Sequence, residues 1–353
     1  MSIPQYYILD ENTEKGLQNK EIDYFSSDSL YEEQKYTEET KQLLEHFEKY
    51  VELFKKNPYD PSCGLTLSEF NRRNRNELFI SLSGPMEEIY SSEYHTVINE
   101  QDKNEIPTML FRSNNKPTTD LIIFIHGGGW TQGNFKTHEY LCRKLTKILE
   151  KDVLAIEYRL SPENPHPKPL DDVISVYKSV TSTNNFNNYQ RFFLCGDSGG
   201  GHLCSAACIR ISEESLKCPE ASILFYPALG NDFNSRSYQK FGNCLALTKA
   251  GTIVYTNNLA GCDCQTPNIL SNKYIFPTLQ KDMTVFPKEI IISSGYDVLY
   301  DGQLEHVQKM IENGRKDIVW LVYPGVIHGF MTYGKYYDSL VTQVCHTIKN
   351  YLQ

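Results

Sequence analysis

From about residue 120 onward the chain alternates short apolar runs with segments of helical period. Runs at 121–125, 153–158, 191–195, 222–226, 289–293 and 318–322 are strand-sized and predominantly apolar, as expected of strands covered on both faces of a largely parallel sheet. Amphipathic segments lie between and after them, near 137–150, 168–180, 200–214, 301–313 and 337–352. Strand and helix in alternation predict an α/β fold with helices flanking the sheet. Upstream, 93–98 and 107–112 read as an antiparallel hairpin at the sheet edge, which brings the predicted sheet to eight strands.

Two stretches break the alternation. Residues 1–85 carry few strand signals, and Leu43, Leu44, Phe47, Val51 and Phe54 recur at spacings of three and four, an apolar helix stripe in an acidic context. Residues 229–287 form a connection between two predicted strands that is far longer than the usual few residues, which predicts a lid or cap. The expected organisation is a helical segment over 1–85, a core in two parts over 86–228 and 288–353, and an insertion over 229–287.

With 353 residues, 40% of them apolar, the chain can bury one large core and an accessory layer. Lys and Arg number 35 against 44 Asp and Glu, and a net charge of −9 repels phosphate backbones and anionic lipid, so nucleic acid is not an expected partner. Residues 1–60 hold 14 acids against 7 lysines, which concentrates that charge in the helical segment. Ten cysteines in a chain this long do not read as a disulfide framework. Cys195, Cys204 and Cys208 sit in or beside apolar runs, where a free thiol acts as a small hydrophobe. The first residues lack a basic region, Asp10 and Glu11 interrupt Ile8-Leu9, and no N-x-S/T sequon occurs. No run approaches the ~18 apolar residues of a membrane span. These features predict a soluble, cytoplasmic protein with no transmembrane segment. Cys262-x-Cys264 has the wrong spacing for a zinc knuckle and no histidine close by, so neither metal nor other cofactor is expected.

The first chemical signal is Gly196-Asp197-Ser198-Gly199-Gly200, a G-x-S-x-G pattern after a predicted strand and before a predicted helix. That context is the one a nucleophile elbow needs, with glycines that let strand and helix approach closely. A glycine-rich turn with a capping serine would read similarly. The same letters surround the nucleophile of chymotrypsin-like proteases, but those are β-barrels with His, Asp and Ser in that order. Here strands alternate with helices, and the best histidine follows the serine. The second signal, His126-Gly127-Gly128-Gly129-Trp130, comes directly after the predicted strand at 121–125. Three glycines allow backbone N–H groups to turn into a cavity and receive an oxyanion. His126 reads as a residue that orients this loop.

A serine needs a histidine to take its proton and a carboxylate to hold the histidine's tautomer. Of the histidines that follow the serine's own helix, His306 and His346 fall in amphipathic segments. His328 stands just after the predicted strand at 318–322 and is the expected base. After the strand at 289–293 come Asp297, on the loop itself, and Asp301, at the start of a helix. Asp297 is the preferred acid and Asp301 the alternative, the latter resembling a helix-capping residue.

With these motifs the chain resembles, from about residue 90 to its end, the hormone-sensitive-lipase-like branch of α/β-hydrolase carboxylesterases, which includes arylacetamide deacetylases. The least generic match is Glu157-Tyr158-Arg159-Leu160-Ser161-Pro162-Glu163-Asn164-Pro165-His166-Pro167 ahead of Asp171-Asp172. The resemblance implies an α/β-hydrolase fold with a mostly parallel eight-stranded sheet and a helical cap built from 1–85 and 229–287. It also implies a serine carboxylesterase of short-to-medium acyl esters that works through Ser198, His328, Asp297 and an acyl-enzyme. The oxyanion donors would be the N–H groups of Gly128, Gly129 and Gly199, and the partner a small-molecule ester. Gly199 stands where the family usually has Ala, and Val298 where it usually has Pro. The alternative function is a non-catalytic small-ligand receptor, since plant gibberellin receptors share the fold and loops but lack the catalytic histidine; here His328 is present.

Overall fold

Every residue of Asp120–Ile125 is buried, and its side chains divide by alternation: Leu121, Ile123 and Ile125 join one apolar cluster, Ile122 and Phe124 the other. This two-sided burial is the reason the run is continuously apolar. In the computed structural model, which describes residues 5–9, 35–115, 118–182, 186, 188–244 and 246–352, the strand lies inside a nine-stranded sheet.

The strands are β1 (Gln5–Leu9), β2 (Ser91–Ile98), β3 (Glu105–Arg112), β4 (Asp120–Ile125), β5 (Asp152–Ile156), β6 (Arg191–Asp197), β7 (Ala221–Phe225), β8 (Lys288–Tyr296) and β9 (Ile318–Ile327). Their spatial order is β1-β9-β8-β7-β6-β4-β5-β3-β2. The strands β4 to β9 run parallel, with the β2–β3 hairpin antiparallel at one edge. All eight expected strands are therefore present. The ninth, β1, pairs antiparallel with β9 from Gln5 opposite Val322 to Leu9 opposite Ile318, in a segment expected to be helical. Its partner is the otherwise open edge of β9, a source of order that local periodicity does not reveal.

In chain order the helices are α1 (Glu38–Lys56), α2 (Leu67–Ser81), α3 (Phe135–Leu149), α4 (Lys168–Ser182), α5 (Gly199–Glu213), α6 (Arg236–Phe241), α7 (Lys249–Ala260), α8 (Pro267–Leu270), α9 (Tyr300–Glu312) and α10 (Gly334–Tyr351). Thr37 starts α1 by accepting the Thr40 N–H, and Thr66 with Glu69 forms a capping box on α2. Only the first half of the predicted α1 stripe is buried. Leu43 and Phe47 enter the core, whereas Val51 stays 37% exposed and Phe54 meets Phe70 of α2. Three short helices, α6 to α8, occupy the predicted insertion. No helix among the described residues is long and apolar enough to cross a membrane. The ends of β4, β6, β8 and β9 open on one side of the sheet, where ligands of open α/β sheets bind.

Candidate active site

Ser198 joins β6 to α5 at φ 53, left-handed backbone that costs a non-glycine residue about 1–3 kcal/mol. The turn is held by the Ser198 N–H on Phe225 O at 2.8 Å. A Cβ on Gly200 would lie 1.9 Å from Ile125 O, and one on Gly196 would lie 2.6 Å from the Gly200 carbonyl carbon. Helix and strand thus meet more closely than any side chain permits, and the serine is thrust up at the junction.

His328 follows the last residue of β9, and its Nε2 lies 2.8 Å from Ser198 Oγ. Its Nδ1 lies 2.7 Å from Asp297 Oδ2, while Asp297 Oδ1 accepts the Leu299 N–H at 2.9 Å. Asp297 is 1% exposed and His328 7%, so this chain of hydrogen bonds is shielded from water. With Nδ1–H donating to the carboxylate, Nε2 is free to accept from the serine hydroxyl. Tyr226, itself at φ 36, packs its ring 4.8 Å from that of His328. Asp301 is turned elsewhere: its carboxylate accepts the Ser237 N–H at 2.7 Å.

The glycine loop after β4 bends through Gly128 at φ 108 and Gly129 at φ 59. Gly127 donates to Asp197 Oδ1 at 2.7 Å, and His138 Nε2 stands 3.2 Å from the same oxygen. Asp197 therefore braces the loop rather than facing the serine's partner. Burial alone would raise its carboxyl, but His138 and the Gly127 N–H outweigh that and hold it below the ordinary range. Trp130 Nε1 donates to Gly199 O at 2.9 Å and approaches His202 Nδ1 at 3.1 Å. His126 stacks on Tyr158 at 4.4 Å, and Tyr158 Oη donates to His126 O at 2.9 Å. Burial pushes His126 and His202 down to about 3, so both are neutral supports. Among the described residues, no hydrogen-bond acceptor engages the backbone N–H of Gly128, Gly129 or Gly199.

A cavity of ≈ 60 Å³ opens at Ser198, lined by Gly128, Gly129, Gly199, His328 and Tyr255. A wider groove of ≈ 500 Å³ adjoins it, between α1, α2 and α7. Sequence reasoning missed what α2 does here. Arg72 Nε donates to Thr131 O at 2.7 Å, and Asn76 Oδ1 accepts the Gly133 N–H at 2.9 Å, so one helix grips the glycine loop at two points. The only legible hint was the Thr66-x-x-Glu69 capping box that starts this helix. The Tyr158–Arg159 run also has structural work: Arg159 binds both oxygens of Asp172, at 2.8 and 2.6 Å. Among the described residues no cluster of three or more His, Cys, Asp or Glu side chains is arranged to hold a metal ion.

A strained serine at the carboxyl end of a parallel sheet, with a histidine from the last strand in reach, is the geometry of the α/β hydrolases. The chain belongs to that family: its α/β-hydrolase-fold profile, Abhydrolase_3, matches residues 122–332. Among curated proteins it is 30% identical to the carboxylic ester hydrolase LipN of Mycobacterium tuberculosis over 64% of this chain and 61% of that protein. It is 27% identical to arylacetamide deacetylase of Bos taurus over 52% of this chain and 49% of the relative. The matches thus span less than two thirds of these relatives' length. A solved ester hydrolase from the metagenome of Lake Arreo superposes with a TM-score of 0.77, covering 89% of this chain and 98% of its own, at 23% identity.

Proposed function

We propose that this protein is a serine carboxylesterase acting on short-to-medium acyl esters. The observation that carries the reading is the continuous hydrogen-bonded chain Asp297–His328–Ser198 beside a glycine loop with free N–H groups. His328 Nε2 takes the hydroxyl proton as Ser198 Oγ attacks the ester carbonyl, and Asp297 steadies the resulting imidazolium. The N–H groups of Gly128, Gly129 and Gly199 receive the oxyanion. Collapse expels the alcohol, which takes the proton from His328, and leaves an acyl-enzyme. Water, deprotonated by the same histidine, then attacks the acyl carbonyl, and Ser198 leaves with the proton returned. The named activities of the relatives, ester hydrolase and arylacetamide deacetylase, support the same class.

The helices α1 and α2 and the insertion over 229–287 serve as a cap over the serine; of the expected 1–85 segment, β1 belongs instead to the sheet, and residues 1–4 and 10–34 lie outside those described. In support, α2 grips the glycine loop, and a Cβ on Gly129 would lie 2.6 Å from the Tyr255 ring of α7. The small cavity at the serine suits a short acyl group, with the groove taking the rest of the ester. The ten cysteines are all free thiols, which supports a reducing, cytoplasmic setting.

Hydrolysis of p-nitrophenyl esters from acetate to palmitate tests the reading, with Ser198→Ala as the comparison. The expected loss is roughly 10⁴–10⁶ in kcat. A fluorophosphonate should label Ser198 stoichiometrically, and far more slowly in folded His328→Ala. A wild-type protein that binds a small apolar ligand yet shows neither labelling nor turnover would establish the receptor instead.

A further inference from the structure

Arg75 of α2 lines both the cavity at Ser198 and the groove that leads away from it. Among the described residues none pairs with its guanidinium through a hydrogen bond or an ion pair. The other cations of the groove are engaged: Arg72 with Glu163 at 2.6 Å and Lys55 with Glu52 at 2.8 Å. No carboxylate stands among the described residues of the groove lining, although the chain as a whole is at −9. Positive charge has therefore collected in one place on an acidic protein, and one of its members is unmatched.

The placement of that member is specific. The charge of Arg75 acts on the hydroxyl of Tyr50 in the groove and on that of Tyr333 in the serine cavity. Tyr333 in turn touches Gly329, the neighbour of His328. The one carboxylate of the inner cavity, Asp197, is occupied by Gly127 and His138. Against the apolar walls of Tyr50, Val51 and Phe54 a guanidinium focuses positive potential along the path of a bound ester. Its planar fork fits a carboxylate by two parallel hydrogen bonds.

We propose that the protein selects esters that carry a carboxylate, and that Arg75 is the specificity-determining residue that binds this anion where groove and cavity meet. The inference rests on the esterase reading. A carboxylate on the acyl part, as in a half-ester of a dicarboxylic acid, and one on the alcohol part, as in an acyloxybenzoate, supply the same chemistry.

The test measures kcat/KM on two matched pairs: monoethyl glutarate against ethyl pentanoate, and p-butanoyloxybenzoate against phenyl butanoate. Wild type should prefer the anionic member of at least one pair, and the responding pair tells which part of the ester reaches Arg75. Arg75→Met should lower the anionic-to-neutral ratio in that pair by at least ~10-fold, and Arg75→Lys should restore part of it. A ratio unchanged by Arg75→Met in both pairs overturns the inference, while turnover of the neutral esters leaves the esterase reading standing. Calorimetric binding of p-butylbenzoate against p-butylbenzamide reads the same residue without chemistry. Should no ester be hydrolysed, a carboxylate preference abolished by Arg75→Met upholds the anion site and sinks the esterase. Equal affinities for the two ligands in wild type would sink the anion site.

Discussion

Asp301 Oδ2 accepts the backbone N–H of Ser237 at 2.7 Å, and the Asp301 N–H points back to Ser237 Oγ at 3.3 Å. This reciprocal pair ties the start of α9 to the start of α6, and it commits Asp301 to the insertion rather than to His328. Asp297 is left as the carboxylate at His328 Nδ1. Asp297→Asn should therefore lower kcat by about 10⁴, because the amide favours the wrong imidazole tautomer. Asp301→Asn should keep kcat near wild type and cost on the order of 1 kcal/mol of stability. Steady-state kinetics and urea unfolding on both variants check this, and equal kcat losses in two folded proteins would reassign the acid.

The three glycines around the serine differ in what a methyl group would meet. On Gly200 it would strike the backbone oxygen of Ile125 at 1.9 Å, so Gly200→Ala should prevent folding or lower Tm steeply. On Gly199 the nearest atom is Trp130 Nε1 at 3.1 Å, a contact that a slight shift relieves, and Gly199→Ala should keep activity within several-fold. Gly129→Ala meets both a positive φ and the Tyr255 ring at 2.6 Å, and displacing that N–H should cost roughly 10²–10³ in kcat. Thermal melts and kinetics on the three variants separate these outcomes.

Mild acid should weaken the fold through two fully buried histidines. Burial holds His126 and His202 at about 3, far below the ordinary 6.5, so only the unfolded chain takes up their protons as pH drops. Their contribution is fully present above about 6.5 and is lost progressively toward 3. Between pH 7 and 5 the loss is about 2 kcal/mol for each histidine. Asp197, held below its ordinary 3.8, acts only at lower pH. Urea unfolding at the two pH values should show a drop that shrinks by about 2 kcal/mol in His202→Asn, with His46 and His166, also held down by burial, contributing to what remains; a drop of unchanged size would mean that His202 does not carry it.

Behind the acid's strand, Glu289 Oε2 and His306 Nε2 lie 2.7 Å apart with both side chains fully buried. Glu289→Ala leaves His306 without its partner in the core and should cost about 3 kcal/mol in urea unfolding. A loss within experimental error of zero would show that the pair adds nothing to stability.

The strand–helix alternation, the elbow, the glycine loop and His328 were all legible along the chain, because each depends on residues that are neighbours in sequence. A run such as Leu121 to Ile125 must be apolar to be buried on two faces, and glycines must stand where Ile125 O and the Gly200 backbone nearly touch. Such constraints act over a few residues and leave their mark there. The preference for Asp297 over Asp301 was also legible, though its decisive reason, the hold of Asp301 on Ser237, was not.

What the tertiary structure decided are the relations between distant segments. Strand β1 forms because the edge of β9 offers it hydrogen bonds, and nothing in Gln5 to Leu9 announces that partner. Arg72, Asn76 and Arg75 of one helix acquire their roles by where that helix comes to rest: two grip the glycine loop, and the third lines the serine cavity with no counter-ion among the described residues. An arginine on an acidic, amphipathic stretch reads as a solvated charge until packing settles what lies in front of it. Spacing along a helix determines only which side chains share a face, whereas the partner of that face is chosen by burial and hydrogen bonding across the whole fold.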